Sequence, residues 1–120
     1  MAGFTAADKT VILQRDQMCV PHAGSCGGEL VVHHRVNRGM GGSKRANTVP
    51  NGLTVCATWN TAVESDAVLA ERARTMGWKV RRHGPPPGEV PVWVPWLSAW
   101  VLLTPGGDYR EVPAPTPATK

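Results

Sequence analysis

Four residues near the middle of the chain are of the types that hold a cation and move a proton: His33, His34, Asn51 and Asn60. Sixteen residues separate His34 from Asn51, and eight separate Asn51 from Asn60. A histidine pair ending a strand, faced by the first turn of a helix, would bring two nitrogen or oxygen ligands and a separate imidazole to one point. A second group is softer. Cys19, His22, Cys26 and Cys56 could form a tetrahedron of three thiolates and one imidazole, a donor set suited to structural zinc. The third signal is charge. No acidic residue falls between Glu29 and Glu64, whereas Arg35, Arg38, Lys44 and Arg45 do, so phosphate contacts are expected on that stretch.

The chain that must position these groups has 120 residues, enough for one small domain. Thirteen glycines and eleven prolines exclude a helical bundle or coiled coil. With 42% hydrophobic residues the core is thin, and a domain of this kind often needs a metal or disulfide staple. The net charge of +4 favours polyanionic partners. No stretch reaches the roughly 18 to 20 uninterrupted apolar residues of a membrane span, so no membrane partner is expected. The opening MAGFTAADKT lacks the basic and apolar regions of a secretory signal, and a cytoplasmic, reducing setting follows as the expectation. Three cysteines in that setting read as metal ligands or buried thiols rather than disulfides.

Thr5 and Asp8 open a short N-terminal helix that runs to Asp16. The punctuated stretch Met18 to Gly28 reads as a knuckle-like loop, and Glu29 to Arg35 as a strand. A basic, Gly-rich loop then extends to about Pro50, and Asn51-Gly52 leads into a second strand over Leu53 to Cys56. Thr61 to Met76 is expected as one helix, opened by a Thr61/Glu64 capping box, buried along Val63, Ala67 and Ala70, and stopped by Gly77. Trp78 to Arg82 suggests a strand, and HGPPPG a rigid linker. Val92 to Leu103 reads as one bent strand or two, followed by a Gly106-Gly107 turn into Tyr109 to Val112. Its Trp93, Trp96 and Trp100 either form the core of a small accessory sheet or stack bases. The fold class is α+β, with a strand, loop, strand, helix unit at its centre.

That unit carries a resemblance. HHRVNRGMGGS followed by NGLTVCATWN resembles the HNH motif of the ββα-metal (His-Me finger) endonucleases, especially the small HNH proteins of bacteriophages. The likeness covers roughly Arg15 to Gly77. It implies an HNH nuclease domain over residues 1–83 with its ββα core at about 29–77, a Pro-linked, Trp-rich β extension over 84–112 and a disordered tail over 113–120. It further implies that His34 is the general base, that Asn51 completes the catalytic pair by holding the loop, and that His33 and Asn60 ligate one divalent cation. The implied cation is Mg²⁺, Mn²⁺, Ni²⁺ or Zn²⁺, and the implied reaction is hydrolysis of DNA phosphodiester bonds. The resemblance to phage HNH proteins suggests terminase or other packaging proteins as partners and the host cytoplasm as the location. The alternative is a non-catalytic module that uses the same unit to hold DNA or a packaging partner. The sequence departs from the family in its cysteines. Many HNH proteins carry two C-x2-C pairs, whereas here Cys56 fills the third position and Trp59 stands in the fourth, so either Cys19, His22, Cys26 and Cys56 hold zinc or Trp59 fills that space as core.

Overall fold

The Thr5 hydroxyl accepts a hydrogen bond from the Asp8 backbone N–H at 3.0 Å, which caps the helix α1 (Ala6–Asp16) and places a carboxylate in its first turn. The computed structural model describes residues 3–22, 26–36 and 47–115, and these form a mixed α+β structure with two small sheets. In the first sheet β1 (Leu30–His34) pairs antiparallel with β2 (Gly52–Cys56), from Leu30 opposite Cys56 to His34 opposite Gly52. β2 runs directly into α2 (Ala57–Ser65). α1 crosses this sheet at Gly52, where a Cβ would collide with the Ile12 side chain and meet the Phe4 ring. Only a residue without a side chain lets the helix come that close.

The single helix expected over Thr61 to Met76 is instead two. α2 begins at Ala57, capped by Cys56, and α3 (Ala67–Thr75) is capped by Asp66, whose side chain accepts from the Val68 and Leu69 N–H groups. Asp66 takes an extended backbone, and its short carboxylate competes for the amides that a continuous helix would use. Thr61 and Glu64 therefore do not open a helix. The stripe shifts as well: Val63 and Ala73 are buried, while Ala67 is exposed and Ala70 only partly covered. The strand expected at Trp78 to Arg82 does not form, because these residues follow the edge of the core as an irregular segment in which the Val80 N–H reaches the Arg35 carbonyl.

Gly77 takes φ +78°, and a Cβ there would strike the Pro91 carbonyl, so the turn from α3 towards the second sheet is reserved for glycine. That sheet holds β3 (Val92–Val94), β4 (Ala99–Leu103) and β5 (Tyr109–Val112) in the order β3-β4-β5, all antiparallel. Its inward residues Val92, Val94, Val101 and Leu103 join Val20, Leu53, Val55, Trp59, Val63 and Trp78 in one buried cluster. The C-terminal sheet thus shares a core with the N-terminal half.

Two buried polar groups tie the halves together. Asp16, 1% exposed, accepts from both Nε and Nη2 of Arg15 at 2.8 Å, from the Thr54 N–H at 2.9 Å and from the Tyr109 hydroxyl at 2.7 Å. Burial, and next to it the charge of Asp16, push the Tyr109 phenol far above its ordinary range, so it stays a donor. Arg35 is fully buried. Its Nε donates to Gly77 O at 2.9 Å, its Nη1 to Pro50 O and Pro87 O at 2.9 Å, and its Nη2 to Val90 O at 2.8 Å. Burial pulls this guanidinium down to about 9, with Arg15 adding to the effect and Asp16 opposing it, so it remains charged at neutral pH. The expectation that Arg35 meets a DNA phosphate is corrected here: its donors are occupied by backbone carbonyls inside the fold.

Replacing Arg35 with methionine keeps the bulk of the stem but leaves these acceptors without donors. The expected loss in urea denaturation is at least about 3 kcal/mol. A loss below about 1 kcal/mol would mean that other donors replace the guanidinium.

Candidate metal centre and histidine site

Successive side chains of a strand point to opposite faces, so the adjacent histidines of β1 are sent to different surroundings. His33 turns towards α2. Its ring meets Trp59 edge-on, with centroids 5.3 Å apart at 87°, and Trp59 in turn meets Trp78 edge-on at 6.4 Å. Only 4% of His33 is exposed, and its Nε2 is buried with no hydrogen-bond partner among the described residues. Burial pulls His33 down to about 4, and the charges of Lys79 and, more weakly, His34 act in the same direction. Asn60, on the first turns of α2, and the Trp78 backbone interact with the ring in the opposite sense. The ring is therefore neutral at physiological pH, which is the form that ligates a cation. Lys79 is also 3.8 Å from Glu64, one turn beyond Asn60.

His34 turns towards α1. Its ring stacks on Phe4, with centroids 4.2 Å apart and planes at 19°, and its Nε2 lies 3.0 Å from the Asn47 Oδ1. The exit of β1 is fastened by Asn51, which is fully buried. Asn51 Oδ1 accepts from the Val36 N–H at 2.8 Å, its Nδ2 donates to Val36 O at 3.2 Å, and its own carbonyl accepts from the Arg35 N–H at 2.8 Å. Both amide atoms of the side chain thereby grip the residue two places beyond His34. Of the residues expected at DNA, Arg35 is internal, and Arg38, Lys44 and Arg45 lie outside the described residues.

Cys19, His22, Cys26 and Cys56 come together, with one ligand atom from each lying within 4.8 Å of all the others. Four ligands around a tetrahedral zinc with bonds of about 2.3 Å would stand roughly 3.8 Å apart, so this group could hold a metal ion with small adjustments. The sequence positions it through β2: Cys56 ends that strand, its Sγ caps α2 by accepting from the Trp59 N–H at 3.3 Å, and the Cys56 N–H in turn donates to the Cys19 Sγ at 3.1 Å. His22 Nδ1 is 3.5 Å from the Cys56 Sγ. Burial pushes the Cys19 thiol up to about 12, and a hydrogen bond with Cys26 adds to this. For Cys56 burial also acts upward, but hydrogen bonds from the backbone of Trp59 and Gly27 and from Cys19 and Cys26 outweigh it and hold the thiol below its ordinary value. A cation among them would favour thiolate at all three. Trp59 is buried beside this group, so it fills the fourth cysteine position as core while His22 completes the set of four possible ligands.

Sequence reasoning missed Phe4, Asn47 and Lys79, which surround the two histidines from the segment before α1, the loop before β2 and the segment after α3. None sits at a spacing that marks it, since each reaches the site by tertiary folding. The state of His33 leads to a pH dependence. Its folded pKa lies below the ordinary value of about 6.5, so stability is fully present above that value and falls as the pH drops towards about 4. The decline attributable to His33 is on the order of 3 kcal/mol, and the His33→Leu variant should lose this part of the pH dependence in urea titrations. An identical slope in the variant would show that other groups carry it. The chain matches no family model, no curated protein and no solved structure.

Proposed function

We propose that this chain is a metal-dependent endonuclease of the HNH type, acting on DNA phosphodiester bonds, with β1, β2 and α2 as its ββα-metal unit. The observation that carries the reading is the buried Nε2 of His33, which makes no close hydrogen bond among the described residues, on a ring that Asn60 of the facing helix influences. Such atoms are rare because each costs desolvation without compensation, and a ligand role accounts for this one. His33 and Asn60 would hold the divalent cation, a nitrogen and oxygen pair that suits Mn²⁺, Ni²⁺ or Zn²⁺ and admits a water-rich Mg²⁺. Bound there, the cation would neutralise charge developing on the phosphate and the leaving oxygen.

His34 is the general base. When its Nε2–H donates to the Asn47 Oδ1, the basic lone pair falls on Nδ1, which would accept a proton from the attacking water. Stacking on Phe4 limits rotation of the ring, and Asn51 fixes the backbone just beyond it, so the base is held in place from both sides. Zinc is the ion we assign to the group of three cysteines and one histidine, where soft thiolates select it and where its role is to staple Cys19 and Cys26 to the head of α2.

Plasmid incubated with the protein and Mg²⁺, Mn²⁺ or Ni²⁺ should be nicked or linearised. EDTA should stop the reaction, and His34→Ala should lower its rate by about 100-fold or more while circular dichroism stays unchanged. If wild type and His34→Ala are equally inert with every ion yet still bind DNA, the unit is a non-catalytic binding module. Zinc content is checked separately: one zinc per chain is expected after dialysis against metal-free buffer, lost in Cys56→Ser together with a lower melting temperature. Protein that retains no zinc and melts unchanged would remove the structural zinc.

A further inference from the structure

The second sheet has two faces, and its fully buried residues all lie on one of them. Val92 and Val94 of β3 and Val101 and Leu103 of β4 are at most 1% exposed and close the buried cluster. The pleat sends the intervening residues outward. The register then assembles one row from Trp93, Trp100 and Val112 across the three strands, with Leu102 and Arg110 as the neighbouring pair. Both tryptophans are partly buried, Trp93 also packing against the core while Trp100 is not among the residues that do, and their rings lie 5.5 Å apart at 58°. The partly exposed ring surface of this aromatic pair costs solvation on a face that the sheet leaves open.

The chemistry of the face indicates its occupant. No acidic residue is among those that the register places on it: Glu111, next to Arg110, points to the other side of the sheet, opposite Val101. Arg110 is exposed on the edge strand, so a cation stands beside the aromatic row in a chain of net charge +4. Aromatic faces combined with arginine on an open sheet match unpaired nucleotides, whose bases stack and whose phosphates pair with guanidinium. In a duplex the base faces are already stacked on each other, so this surface would have little to hold.

We propose that the outer face of β3-β4-β5 binds single-stranded nucleic acid, with bases stacking on Trp100 and Trp93 and a phosphate meeting Arg110. The site stands on observations separate from those behind the nuclease reading, so either can fail alone.

Binding of the full chain to fluorescein-labelled oligothymidylate, and to its duplex with oligodeoxyadenylate, would be followed by anisotropy without added divalent cation. The single strand should bind at least about five-fold more tightly than the duplex. Trp100→Ala should weaken the single-strand complex by about five-fold or more, while Trp100→Phe retains most of the affinity. Arg110→Glu, at an exposed position of the edge strand and with its fold checked by circular dichroism, should weaken binding at low salt and flatten its salt dependence. Single-strand affinity unchanged in Arg110→Glu and in folded Trp100→Ala would overturn the proposal. So would sedimentation data in which the wild type dimerises, Trp100→Ala does not, and neither prefers the single strand; the face would then be a contact between copies of this chain.

Discussion

The fold depends on one buried cation. Arg35 follows directly on the paired histidines, and its guanidinium, with no carboxylate among its hydrogen-bond partners, donates to carbonyls from the turn before β2, the turn after α3 and the segment leading into β3. Backbone carbonyls of irregular segments are the groups hardest to satisfy inside a protein, because no ladder supplies their donors. A planar fork with five N–H groups serves several at once, which a lysine could not do in the same geometry. The position of Arg35 beside His34 has a consequence: the residue that joins the two halves also sets the exit of β1, where the histidines lie.

A second constraint acts from the other end of the same sheet. Cys56 is the last residue of β2, the cap of α2 and a member of the cysteine and histidine group. Whatever fixes Cys56 therefore fixes the start of the helix that carries Asn60 towards His33. Between the cysteine group at the head of α2 and Arg35 at the end of β1, the two-stranded sheet is anchored at both ends. That arrangement offsets the small apolar core of a chain this rich in glycine and proline.

The two histidines illustrate how one dipeptide can hold two roles. Strand geometry alone separates them. His33 enters a nearly dry space lined by Trp59, and burial keeps it neutral. His34 lies on the other face against Phe4, where Asn47 sets the orientation of its ring. In the nuclease reading this division gives the ligand the side of the sheet that faces α2 and the base the opposite side, where its ring is held but less enclosed.

Much of this was legible in the sequence wherever the signal is local. The cap of α1 at Thr5, the pairing of the two central strands around His33 and His34, the Gly106-Gly107 turn and the clustering of Cys19, His22, Cys26 and Cys56 all follow from turn chemistry, β-branched runs and ligand spacing, which act over a few residues. Local reasoning failed where two propensities competed, as at Asp66, whose carboxylate ended a helix that the apolar spacing would have continued. It failed also where burial reversed the usual meaning of a residue. Arg35 looks like one of a run of basic residues, and nothing within its own segment distinguishes an internal fork from a surface charge; the difference lies in carbonyls brought from Pro50, Gly77, Pro87 and Val90. The sequence by itself determined most of the element types and the chemistry of the candidate ligands, because these are properties of side chains and their near neighbours. The tertiary structure alone decided which charges face inward and what surrounds each histidine, because desolvation depends on distant parts of the chain.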